Sequence, residues 1–347
     1  MDRTDVASFE PTASLEALRM RSQLLRELRG FFEEHGYWEV ETPVLSHDVV
    51  IESQLDPIAI DVYDRGSFAT MFLQSSPECG MKRLLCAGAD SIYQITHAFR
   101  SGESGRLHNP EFMIVEWYRV DATWREQMQV TENLVRHLLR RGAELRCSPM
   151  DRKPTACNDS ADTSFGRLSW DEAFERATGS CALHLSVADL QELGVSRGLD
   201  LSGNWKAAGI DELRNLLLAE LVEPTLGCEQ PEFVYDYPAA QCALANVRPD
   251  DPPVAERFEL YIRGIEICNG YQELTSAGEL SERMAEQNRI RQDSGRVTLP
   301  ERGRLHEAMK SGLPECSGVA LGFDRLVMLA LGYDAIADVT TFPIDRA

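Results

Sequence analysis

Apolar residues recur at helical spacing near the start of the chain. Leu15, Leu18, Leu25, Leu28 and Phe32 fall on one stripe, as on an amphipathic helix. Ser14 suits the cap and Gly36 the position just past the C-terminus, so the pattern predicts a helix over 14–35. Val40 to Leu45 reads as a short strand interrupted by Pro43, which cannot donate to a ladder and suits an edge or an interface. A strand over 71–75 and a helix over 77–87, closed by Gly88, follow. Residues 111–120 alternate strongly, and 124–141 form a second amphipathic helix. The polar, proline-punctuated stretch 146–166 reads as a surface loop. Helical segments follow near 170–177, 187–193 and 211–222, then strands at 232–236 and 257–270. A polar helix near 278–293 precedes a glycine-rich strand and an apolar helix over 317–332. No unit repeats at the spacing of solenoids. Strands joined locally, with helices grouped between them, predict an α+β fold with an antiparallel sheet rather than a doubly wound one.

The 347 residues suffice for one large domain or two ordinary ones. Hydrophobic content of 43% and charged content of 26% are those of a soluble globular chain. No apolar run is long enough to span a membrane, and Met1-Asp2-Arg3-Thr4-Asp5 does not open a signal peptide. The nine cysteines stand singly, with no Cys-x-x-Cys. They suggest reduced thiols and a cytoplasmic location rather than a zinc site or disulfide framework. The net charge of -21 disfavours a long nucleic-acid footprint.

Four segments carry candidate chemistry. On a strand, Phe112, Ile114, Glu116 and Tyr118 share one face. That face offers an aromatic plane for a base and a carboxylate beside a phenol for an ammonium group. The plainer reading is a half-buried strand whose Glu116 pairs with a neighbouring arginine. Arg263-Gly264 reads as a two-residue hairpin turn, pairing Tyr261 with Glu266 and Glu259 with Cys268. Glu259 and Glu266 then become diagonal neighbours that repel unless a cation lies between them. Magnesium is the natural choice, because it binds through one or two carboxylates plus substrate phosphates; two solvated spectator glutamates are the alternative. Ser75-Ser76-Pro77-Glu78 opens a helix. Capping alone explains it, unless Ser76 and Glu78 point into a pocket. Finally, Arg100 in Phe99-Arg100-Ser101-Gly102-Glu103 and Arg325 before an all-round apolar run each stand beside glycines. A buried guanidinium needs an anion, and two of them suggest one polyphosphate held between.

Phe99-Arg100 with His108-Asn109-Pro110-Glu111-Phe112, and Gly318 through Arg325, resemble motifs 2 and 3 of class II aminoacyl-tRNA synthetases. Gly36 through Pro43 resembles motif 1, and Glu266 through Leu274 resembles the lysyl-tRNA synthetase subgroup. The resemblance runs from about residue 14 to the C-terminus. It implies an antiparallel sheet flanked by helices, a homodimer formed through motif 1, and ATP and Mg2+ as cofactors. Carried over by position, the ATP site would comprise Arg100 at the α-phosphate, Ser101, Gly102, Glu103, His108, Asn109, Phe112 under adenine, Glu266, Ile267, Gly322 and Arg325 at the γ-phosphate. Arg100 and Arg325 would be the catalytic pair, and Glu259 and Glu266 the metal ligands. Ser76, Pro77, Glu78, Glu116, Tyr118, Asn269, Tyr271, Glu273 and Ala320 would surround a lysine-like amino acid.

Three departures refine this. The motif 1 helix begins near residue 14, so no anticodon-binding barrel is expected before it, and 1–347 reads as a single catalytic domain. Gly102 stands where the subgroup has Glu, with Glu103 one step later, and Ala320 replaces a usual glycine. A methyl in a tight pocket shifts amino-acid preference by about 1–3 kcal/mol. Together these features resemble the lysyl-tRNA synthetase paralogues that attach (R)-β-lysine to elongation factor P. That resemblance implies elongation factor P as protein acceptor, entering where a tRNA acceptor stem would, and tRNA as an unlikely partner. The acidic surface suggests a favourable field for a basic acceptor. A truncated tRNA synthetase, a ligase with a small-molecule acceptor and a non-catalytic ATP or lysine sensor are the alternatives. The sensor predicts loss of a motif residue, whereas Arg100, Glu266 and Arg325 are all present.

Overall fold

Ser14 caps the first helix, its hydroxyl accepting from Ala17 N at 3.1 Å, which satisfies one of the orphan donors of a helix start. The computed structural model describes residues 9–64, 66–147 and 164–347. Most of the expected surface loop, 148–163, therefore lies outside the described residues. In chain order, α1 (Leu15–Glu34) leads into β1 (Trp38–Glu39) and β2 (Leu45–Ser46). A hairpin of β3 (Ala59–Asp64) and β4 (Ser67–Leu73) precedes α2 (Glu78–Cys86), β5 (Ser91–Phe99), β6 (Glu111–Val120) and α3 (Trp124–Arg146). Then come β7 (Gly166–Ser169), α4 (Trp170–Thr178), α5 (Val187–Ser196), α6 (Ile210–Leu217), β8 (Glu232–Pro238) and β9 (Val247–Arg248). Last are β10 (Val254–Ile262), β11 (Ile265–Gln272), α7 (Ala277–Asp293), α8 (Arg304–Gly312), β12 (Cys316–Gly322) and α9 (Phe323–Ala330).

The main sheet runs β1-β5-β6-β12-β11-β10-β8-β7, with β9 beside β10. Its centre, β5 through β8, is antiparallel, as expected of the α+β class; only the β1–β5 and β7–β8 edge pairs are parallel. One face is covered by α1, α3 and α9, where Leu28, Phe32, Leu138 and Val327 pack on Val115 and Trp117 of β6. The other face carries two separate apolar clusters. Met81, Leu85, Tyr118 and Met309 form one, and Trp170, Phe174, Tyr237 and Tyr261 the other. Between them the strands present carboxylates and amides, and that gap is the cleft. Asp324 locks α9 to β6, accepting from Met113 N at 2.9 Å while pairing with Arg21 at 2.6 Å.

Several boundaries move. No continuous strand spans 40–45; β1 and β2 flank Pro43, and Val40 N adds a single bond to Tyr93 O at 2.8 Å. The helix expected to stop at 141 runs to Arg146, started by a capping box between Thr123 and Glu126. The segment 257–270 is two strands turning at Arg263 and Gly264, with φ of 54° and 71°, the pair of positive angles that a two-residue hairpin requires. The sequence pattern gives no strand at β3, β5, β7 or β9 and no helix at α8.

Candidate active site

A register shift shapes the cleft. From the turn, Tyr261 pairs with Glu266 as the sequence suggests, but Leu260 pairs with Cys268 and Glu259 with Asn269. The expected Glu259–Cys268 pairing is wrong by one residue, because Ile267 is an extra, unpaired residue on β11. A bulge reverses the side-chain parity beyond it. Regular pairing would have put Glu266 opposite Asn269, Tyr271 and Glu273; the bulge sets all four along one cleft of about 330 Å³.

At the amino-acid end, residues align in rows across three strands. Asn269 of β11, Ala320 of β12 and Glu116 of β6 are successive cross-strand partners. Tyr271, Gly318 and Tyr118 form the next row. Gly318 is required there, since a methyl would sit 2.6 Å from a Glu273 carboxylate oxygen and overlap the Tyr118 ring. Tyr118 donates to Glu116 at 3.1 Å, leaving the other Glu116 oxygen buried without a hydrogen-bond partner among the described residues. The Asn269 Oδ1 is in the same state, while its amide donates to Tyr271 at 3.0 Å. Burial, aided by the Glu78 carboxylate, pushes Glu116 up to about 8 against the opposing effect of the neighbouring Ser76 and Tyr118 hydroxyls. Two buried acceptors aimed into one cavity call for a donor ligand, and an ammonium ion supplies it.

Glu78 and Glu273 share a cation supplied by the protein itself. The buried Lys82 Nζ lies 2.5 Å from Glu78 Oε1 and 2.5 Å from Glu273 Oε2. Lys82 follows Glu78 by one turn of α2, so the helix itself supplies that contact. Burial works against the Lys82 charge, but Glu273 and Glu78 outweigh it and raise its pKa. With two carboxylates to one ammonium, Glu273 is pushed up to about 7, by burial first, against Lys82 and with Glu78. The Ser76 Oγ accepts from Glu78 N at 3.0 Å, and Ser76 lines the cleft. Pro77 is buried beneath and does not line the cavity.

The other end is cationic. Arg325 donates to the carbonyl oxygens of Leu107 at 3.2 Å and Glu266 at 2.9 Å, and lies 2.7 Å from His108 Nε2. Burial, with Arg325 adding to it, holds His108 below the usual histidine range. Arg100 lies over the Phe112 ring, 5.0 Å from its centroid, with its Nε buried and unpartnered among the described residues. Glu103 is 4.0 Å from Arg100 and lines the cleft, whereas Ser101 and Gly102 do not. Asn109 lines it too, though its amide is engaged with the backbones of Glu111 and Ile344. Ile267 and Gly322 contribute backbone and small side-chain surface.

Glu259 and Glu266 lie near Glu223, which sequence reading missed. Burial and those two carboxylates push Glu223 up to about 7, and burial with Glu259 raises Glu266. Mutual repulsion of this kind marks a shortage of positive charge, so the donor set fits magnesium. Glu266 has the freer carboxylate. Glu259 already accepts from Tyr237 at 2.7 Å and Tyr261 at 2.6 Å and pairs with Arg257. No group of three or more histidine, cysteine or acidic residues able to enclose a metal occurs among the described residues. The pair therefore suits an ion that also binds phosphate, not a protein-only cage. Arg257, Lys82 and Glu52 are further residues that sequence reading left out. Only Lys82 carried a signal, its one-turn spacing from Glu78.

The family described as tRNA synthetases class II (D, K and N) matches residues 5–346. The elongation factor P--(R)-beta-lysine ligase of Vibrio cholerae is 41% identical over 98% of this chain and 99% of its own. The ligase of the same name from Yersinia enterocolitica is 40% identical, covering 99% and 100%. That of Erwinia tasmaniensis is 39% identical, covering 99% of both chains.

Proposed function

This chain belongs to the class II tRNA synthetase family, and on that footing we propose that it activates (R)-β-lysine, or lysine, as an adenylate and transfers it to a lysine ε-amine of elongation factor P. The observation that carries this reading is the polarity of the cleft. Among the described residues, buried, unpartnered acceptors on Glu116 and Asn269 lie at one end and an unpartnered donor on Arg100 at the other. A diamino acid joined to a nucleotide satisfies both. The similarity to ligases of that name extends over essentially the whole chain.

The family implies ATP use. The amino-acid carboxylate attacks the α-phosphorus, forming the adenylate as pyrophosphate leaves. The acceptor amine then attacks the carbonyl carbon, loses a proton and forms an amide as AMP departs. No protein nucleophile is needed, so the chain acts by positioning and charge stabilisation. Arg100 holds the α-phosphate and Arg325 the γ-phosphate; Phe112 provides the plane for adenine. Glu266, with Glu259, would hold Mg2+, which when bound offsets phosphate charge. We further propose that residues 1–347 act as one catalytic domain, working as a homodimer in the cytoplasm. No helix among the described residues is long and apolar enough to cross a membrane.

Amino-acid-dependent ATP–pyrophosphate exchange tests the reading. Lysine or (R)-β-lysine should support exchange; preference for an aliphatic or acidic amino acid would refute the pocket assignment.

A further inference from the structure

The segment between β2 and β3 has no regular secondary structure, yet its backbone is fixed at almost every step. The buried Arg291 of α7 donates to Glu52 O at 3.0 Å and Leu55 O at 2.7 Å, and pairs with Asp56 at 2.7 Å. Gln287, one turn earlier, accepts from Ser53 N at 2.8 Å. Arg296 donates to Gln54 O at 2.9 Å and to Asp56 at 3.2 Å. On the cleft side, Ser101 N donates to Asp56 O at 3.2 Å, tying the strap to the residue after Arg100. Val49 and Ile51 bury their side chains beneath it.

Of this fixed strap, Glu52 is the residue that lines the cleft among the described residues. Glu52 lines the cleft with its carboxylate open to it, and has no hydrogen-bond or ion-pair partner among the described residues. It interacts electrostatically with Arg100 at the phosphate end and with Glu78 at the amino-acid end, so it stands at their boundary. Rigid backbone under an unpartnered carboxylate is the arrangement of a preorganised ligand contact.

We infer that Glu52 binds the substrate ammonium nearer the reacting carboxyl, and that Arg291 is the positioning residue that holds Glu52 there. This rests on the function proposed above. The reacting carboxyl must meet the α-phosphorus beside Arg100. An amine one or two carbons from that carboxyl therefore lies at the boundary, while the distal ammonium reaches Glu116 and Asn269. Glu78 and Glu273 already share Lys82. Glu52, by contrast, makes no hydrogen bond or ion pair among the described residues, and its opposite charges, Arg100 and Arg257, act on it only at longer range.

The test compares lysine with 6-aminohexanoate, which keeps the carboxyl and distal ammonium but lacks the proximal amine. Lysine is assayed by pyrophosphate exchange and 6-aminohexanoate as a competitor of it. Glu52→Gln should raise the KM for lysine about tenfold or more, the loss of one charge-assisted hydrogen bond, with KM for ATP and the inhibition constant of 6-aminohexanoate little changed. Arg291→Lys should raise the lysine KM in the wild-type background but add nothing in the Glu52→Gln background, and Glu52→Asp should recover part of the loss. Equal weakening of both amino acids by Glu52→Gln would overturn the assignment, as would no effect on either. If wild-type protein shows no lysine-dependent exchange, the proposed function fails instead.

Discussion

The ammonium of Lys82 lies 2.5 Å from a carboxylate oxygen of Glu273, and both side chains are almost fully withdrawn from water. The same ammonium reaches Glu78, so one cation serves two carboxylates. Lys82→Met removes the cation and leaves both acids buried without it, at a cost of about 3–5 kcal/mol. Urea unfolding should show that loss. Adding Glu273→Gln to Lys82→Met should recover part of it, and a Lys82→Met protein of wild-type stability would contradict the pairing.

The acidic end should also impose a pH dependence. Glu116 titrates at about 8 in the folded chain against an ordinary 4.5. The folded state therefore holds a proton that the unfolded state releases. That contribution is complete below the ordinary value and declines as pH rises towards 8, by at most about 1.4 kcal/mol per pH unit per proton. Glu223 and Glu273, both near 7, act in the same direction. Glu116→Gln should flatten the stability profile between pH 5 and 8. An ammonium at Glu116 favours its charged form, so lysine binding should release protons and tighten as pH rises towards about 8. Calorimetry in buffers of different ionisation enthalpy measures this; proton uptake would be the wrong sign.

Arg100 sits over Phe112, on the plane proposed for adenine. Nucleotide must therefore take Arg100 off the ring and engage it at the phosphate. Arg100→Ala should cut pyrophosphate exchange about 10²–10³-fold or more, the scale of losing a preorganised charge-stabilising donor. Wild-type exchange by that variant would sink the phosphate assignment.

The motif 1 segment predicts assembly. Leu15 of α1 and Trp38 of β1 are 65% and 50% exposed, apolar surface on the motif 1 segment that a second copy of the chain would cover. A symmetric homodimer is expected, and light scattering at micromolar concentration should give twice the 38.9 kDa chain mass. A single 38.9 kDa species would contradict it.

How far the sequence could be read follows from how local each feature is. Phe112, Ile114, Glu116 and Tyr118 were legible because strict alternation assigns a strand face, and all four line the cleft. The Arg263–Gly264 turn was legible from its two residues. The bulge was not, because Ile267 is as apolar as Ile265 and an inserted residue of the same character leaves the pattern looking regular. The register shift that brings Asn269, Tyr271 and Glu273 to the side of Glu266 falls at Ile267. Lys82 was half legible: its spacing from Glu78 is helical, while Glu273 is brought to it by tertiary structure alone. Glu52 and Arg291 were hidden for the same reason, since the strap and α7 meet only across the fold.

The acceptor decides the account most directly. Elongation factor P is incubated with this protein, ATP and (R)-β-lysine, and tRNA is offered in a parallel reaction, with products read by mass spectrometry. One lysyl unit should be added to a single lysine of elongation factor P, dependent on ATP and lost in Arg100→Ala. Efficient acylation of tRNA with elongation factor P left unmodified would contradict it and identify the chain as a tRNA synthetase core.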